Sequence, residues 1–139
     1  MGVCLTNRKS KYSFDMGYGG FNNLRTNIAM AFDKELGEAY ADTKTAILNP
    51  KEYDERINKI LADDRFKDED IDIINFLFSS DCDGKCNYKT CGKIYNLIKD
   101  IDFGNKIFTY AARSDGKDYE HLKEFLKECY SKRRNMIWY

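Results

Sequence analysis

From Phe21 onward, apolar residues recur at helical spacing: Phe21, Leu24, Ile28, Ala31, Phe32, Ala39 and Tyr40. The pattern predicts an amphipathic helix from about Phe21 to Thr43, with Gly37 as a weak point inside it. A second helix is predicted to start at Asn49-Pro50-Lys51-Glu52, where Asn49 caps and Pro50 fits the first turn. Tyr53, Ile57, Ile60 and Leu61 supply its buried stripe. After the charged link Asp63 to Asp70, Ile71 to Phe78 is apolar almost all round. That run is expected to be central and helical, with a buried strand as the alternative. Asn87 is placed to cap a helix carrying Tyr88, Cys91, Tyr95 and Ile98, and Tyr119, Leu122, Phe125, Leu126 and Cys129 mark a last one.

Strand patterns are shorter. Val3-Cys4-Leu5 and Lys11-Tyr12-Ser13-Phe14 read as a hairpin joined by Thr6 to Ser10. Ile107 to Tyr110 reads as a strand, Ser114-Asp115-Gly116 as a turn, and Met136 to Tyr139 as a strand-like tail. About five helices with a small sheet, from the N-terminal hairpin and the C-terminal strand, make a predominantly helical α+β fold. With no repeat, linker or low-complexity segment, residues 1–139 read as a single domain.

Composition narrows the function classes. Charged residues make up 33% of the chain and the formal net charge is zero, which makes general polyanion or nucleic-acid binding an unlikely use of the whole surface. Aromatics reach 14%, more than a small core needs, which points to a binding face. No apolar run approaches a membrane span. The five cysteines are unevenly spaced with no leader pattern ahead of them, so reduced thiols and a cytoplasmic location are expected. Met1-Gly2 with Thr6 matches a myristoylation signal only loosely.

The densest chemical feature is Asp15-Met16-Gly17-Tyr18-Gly19-Gly20-Phe21-Asn22-Asn23-Leu24-Arg25. It has neither the glycine spacing of a dinucleotide fold nor the Gly-Lys-Ser/Thr of a P-loop. Two readings remain. Gly19 and Gly20 open the backbone N–H groups of a helix start to an anion, with Arg25 as cation and Tyr18 and Phe21 as stacking rings. Alternatively, the glycines only turn a strand into a helix. Arg113 and Trp138 are further candidates for the ligand site, as a cation and a stacking ring.

Other motifs carry less. Aligned on Gly84, the Ser79 to Lys85 loop sets Asp81 and Asp83 as calcium ligands but lacks the first aspartate and the bidentate glutamate. A polar helix-to-helix turn explains the same residues. Cys82, Cys86 and Cys91 would need Cys129 or His121 to complete a zinc set. His121, the one histidine, is expected near solvent. Lys132-Arg133-Arg134 fits a solvated helix end. No catalytic residue, metal or cofactor is assigned. The Ile137-Trp138-Tyr139 ending suggests that the tail docks, in its own sheet or on a partner, the latter giving a homodimer.

Met1-Gly2-Val3-Cys4, the Phe14 to Phe21 stretch with Leu24-Arg25, Phe76 to Lys85 and the Trp138-Tyr139 end together resemble a group of small phage and prophage proteins of Gram-positive bacteria. The likeness spans nearly the whole chain and carries no residue-by-residue assignment. It implies a setting in the host cytoplasm, where such proteins counter host defence and some sequester cyclic or ADP-ribose-type nucleotide signals. The expected function is therefore non-enzymatic capture of a small nucleotide ligand. The alternative is a protein-binding module that inhibits a host or phage enzyme.

Overall fold

Val3, Leu5, Phe14 and Met16 alternate with polar neighbours, and this alternation builds the first hairpin. In the computed structural model, which describes residues 2–110 and 117–139, strand β1 (Gly2–Thr6) pairs antiparallel with β2 (Phe14–Gly17). The register sets Leu5 opposite Phe14 and Val3 opposite Met16, so all four side chains share the buried face. The second strand therefore lies three residues later than the pattern Lys11 to Phe14 suggested. Asn7 explains the shift. Its Oδ1 accepts from Lys9 N and Ser10 N, and Arg8 takes a left-handed φ of 68°, so the link runs on to Ser13.

Helix α1 (Tyr18–Phe32) leaves β2 directly. It is followed by α2 (Lys34–Ala41), α3 (Thr43–Leu48), α4 (Pro50–Leu61) and α5 (Ile71–Phe78). Strand β3 (Gly84–Cys86), α6 (Tyr88–Ile98), α7 (Lys117–Ser131) and β4 (Met136–Trp138) complete the order. The four strands form one antiparallel sheet in the order β2-β1-β4-β3. The α+β class expected from the sequence is the one observed. Helices number seven among the described residues because the long first pattern is divided and α3 is added. Asn49 and Asn87 cap α4 and α6 through their side chains, as expected.

The division of that first pattern has a local cause. Asp33 is extended (φ −157°, ψ 120°) and its Oδ1 accepts from Leu36 N, capping α2. Gly37 then lies where α2 crosses α1: a Cβ there would come 2.5 Å from Met30 Sδ and 2.6 Å from its Cα. Glycine thus permits a close helix crossing rather than weakening a continuous helix. Arg65 clamps the corner by donating from Nε to Asp33 Oδ2 at 2.8 Å and from Nη2 to Glu35 at 3.0 Å.

The Arg65 guanidinium, followed by the backbone N–H of Leu36, holds the Asp33 carboxyl below its usual range. A depressed carboxylate contributes stability that is present above its unfolded value and lost as pH falls through the folded one. Unfolding midpoints are therefore expected to drop as pH falls below about 4. Asp33→Ala is expected to cost about 1 kcal/mol at neutral pH and to flatten that acid slope in urea titrations.

Two readings are corrected. Gly84 to Cys86 are not a helix-to-helix turn but an edge strand on β4, with Lys85 opposite Ile137. Residues Ile107 to Tyr110 form no strand; Tyr110 N donates once to Asp15 O and Phe108 is buried. The tail is β4 and sits inside the sheet between β1 and β3, the first of the two placements expected for it. The predicted turn Ser114 to Gly116 lies outside the described residues. No helix among them is long and apolar enough to cross a membrane.

Candidate functional site

Arg25 lies one helical turn after Phe21, on the buried side of α1 with Leu24 and Ile28. It is 4% exposed. Its Nη1 donates to Leu77 O at 3.2 Å and Ser79 O at 2.6 Å, and Nη2 donates to Ser80 O at 2.8 Å. These carbonyls end α5, where a cation is favoured by the helix dipole. Two more donors reach the same end: Tyr40 Oη to Leu77 O at 3.0 Å and Trp138 Nε1 to Ser80 O at 3.0 Å. The guanidinium carbon sits 3.9 Å from the Phe21 ring centroid, a desolvated cation–π contact.

Two features of Arg25 are unusual. It makes no ion pair among the described residues, and its buried Nε has no hydrogen-bond partner. Burial pulls its pKa down, opposed by the neighbouring Tyr40 hydroxyl and the charge of Asp81, yet a guanidinium stays cationic. A buried cation without a carboxylate partner is costly.

Arg25 lines a pocket of about 380 Å³. Tyr18 and Phe21 come from α1, Tyr40 from α2, Ala46 from α3, Tyr53 from α4 and Phe78 from α5. Asp81 lies in the loop that follows. Helix α3 has no buried residue and contributes Thr43 and Ala46 to the pocket wall. Cys82 lies beside the Tyr18 hydroxyl and holds that phenol above its ordinary value.

Of the residues singled out from sequence, Tyr18, Phe21 and Arg25 meet in this pocket. Trp138 does not line it. Its ring packs edge-on against Phe21 and Phe76 at 5.5 and 5.7 Å, on the core side. Phe21 is itself fully buried, so both rings serve the core. Arg113 lies outside the described residues. Gly19 is exposed with nothing within 4 Å of a Cβ placed on it. Gly20 is packed so that a Cβ would strike the Phe108 carbonyl oxygen. Gly104 alone among the described glycines has a left-handed φ, so no turn geometry demands glycine in the motif. Gly20 is required by close approach, and Gly19 by nothing steric.

Sequence reasoning placed Tyr40 and Tyr53 on buried stripes and missed their shared pocket with Phe78. The available signal was Arg25 itself, a charged residue on an apolar face.

The thiols divide. Cys86, Cys91 and Cys129 are buried, with Cys86 and Cys91 sulfurs 4.0 Å apart, whereas Cys82 is exposed. Cys91 and burial push the Cys129 thiol far above its ordinary range. No cluster of three or more His, Cys, Asp or Glu side chains among the described residues is arranged for a metal ion. His121 stacks on Tyr12 with ring centroids 5.0 Å apart. Maleimide labelling of the native protein is expected to modify Cys82 rapidly and to reach Cys91 and Cys129 only after unfolding, which peptide mass mapping would show.

No family model, curated protein or solved structure matches the chain.

Proposed function

We propose that the protein captures a small nucleotide-type ligand in the Arg25 pocket without transforming it. One observation carries the reading: a buried, unpaired guanidinium with an unpartnered Nε lines an aromatic pocket. An oxyanion in the pocket supplies the missing countercharge. The side chains of Tyr18, Tyr53 and Phe78 suit a base, and about 380 Å³ is within the usual range of small-ligand sites. Arg25 and Asp81 are the charged groups of the lining, with no histidine beside them, which favours capture over acid–base chemistry. The resemblance to small phage proteins supplies the setting, sequestration of a cyclic dinucleotide or cyclic ADP-ribose-type immune signal.

Calorimetry against a panel of those nucleotides tests the proposal. One class is expected to bind at one site per chain. Ala46→Trp should fill the pocket from α3, leave the core intact, and weaken binding at least about tenfold. Absence of heat from every member would remove this reading.

A protein-binding module is the second reading. It is favoured by Ile47 and Leu48 on α3, which are 77% and 72% exposed beside the pocket rim. A stoichiometric partner from host lysate, lost with Ile47→Asp, would support it.

A further inference from the structure

The terminal basic cluster is not a uniform solvated end. Lys132 and Arg134 both pair with Glu128, each at 3.4 Å. Arg133 makes no ion pair among the described residues and lines a groove of about 630 Å³ between α6 and α7. Tyr88, Lys89, Lys93 and Asn96 face it from α6, and Tyr130 from α7. No carboxylate contributes to the lining. Lys93 is held by Asp72 at 3.2 Å and by the Glu69 carbonyl, whereas Lys89, like Arg133, has no ion pair among the described residues.

Two details set the groove's shape. Tyr130 lies across α6 at Gly92, where a Cβ would come 2.5 Å from the ring; glycine lets the half-exposed ring rest there. Arg133 follows α7 in a left-handed conformation, φ 54°, a position that favours glycine. A long cationic side chain is thus held at a backbone position that disfavours it.

We infer that this groove binds single-stranded nucleic acid. Lys89, Lys93 and Asn96 recur at i, i+4 and i+7 along α6, so the polar groups form a line rather than converge on one point. A line of cations flanked by tyrosine rings suits successive phosphates and stacked bases. The neutral whole chain confines the attraction to this face, so binding is modest and salt-sensitive. Two neutralised phosphates give a log–log salt slope of about −1.4.

Fluorescence anisotropy with a labelled oligothymidylate at low salt is the test, with thymidine monophosphate as the competitor. The oligonucleotide is expected to bind and the monophosphate to compete poorly. Lys89→Ala with Arg133→Ala should remove most of the affinity, and Tyr130→Ala should lower it about tenfold. Arg133→Gly separates binding from folding: it should weaken binding while Tm holds or rises. Ala46→Trp, which fills the other pocket, should leave oligonucleotide binding unchanged. No binding at high protein concentration, affinity indifferent to Lys89 and Arg133, or binding of the monophosphate alone would each overturn the inference.

Discussion

Arg25→Ala is expected to destabilise the protein by about 3 kcal/mol or more. The carbonyls of Leu77, Ser79 and Ser80 would lose their guanidinium donors at a buried helix end. Leaving such acceptors unpaired costs about 1–3 kcal/mol each where water cannot reach them. Tyr40 and Trp138 would keep one bond each to Leu77 and Ser80, which limits the loss, while the cation–π contact with Phe21 disappears. Urea unfolding should show a lower midpoint with an unchanged slope. Arg25→Lys is the more informative binding probe. It keeps the charge but cannot reproduce a planar fork across several carbonyls. An alanine variant that lost ligand binding would therefore report folding as much as recognition.

Trp138→Ala is expected to cost about 4 kcal/mol, lowering Tm by roughly 10 °C. The ring is 2% exposed. It packs against Phe21 and Phe76 and leaves no room for a Cβ on Gly84. The tail strand also links β1 to β3, so deleting Met136 to Tyr139 should disrupt the sheet, not only a docking tail. Arg25 and Trp138 both donate to Ser80 O. Their double variant should consequently depart from additivity by about 1 kcal/mol, measured as a double-mutant cycle in urea.

Much of the helical part of the fold was legible because its signals are local. Asn49 and Asn87 bond backbone N–H groups within three residues, and the apolar stripes of α4, α6 and α7 follow the 3.6 period. The divided first helix was not legible. Asp33 breaks it in partnership with Arg65, thirty-two residues away. Strand β3 has three residues with no strand pattern of its own; its pairing exists only because β4 arrives from the far end of the chain. The site was half legible. Tyr18, Phe21 and Arg25 fall close together in sequence, so their meeting needs only the first two turns of α1. Tyr40, Tyr53 and Phe78 join them through helix packing. Trp138, read as a stacking surface, was drawn into the core by its edge-on contacts and its bond to Ser80.

The most direct measurement is the ¹H–¹⁵N spectrum of the arginine side chains during titration with cyclic ADP-ribose isomers and cyclic dinucleotides. Arg25 Nε–H, unpartnered in the free protein, should shift downfield with at least one class and saturate at one ligand per chain. Its shift should vanish in Ala46→Trp while the fold is retained. If every nucleotide leaves the Arg25 resonance in place, or if one binds with Arg25 Nε unmoved, the pocket is not the capture site.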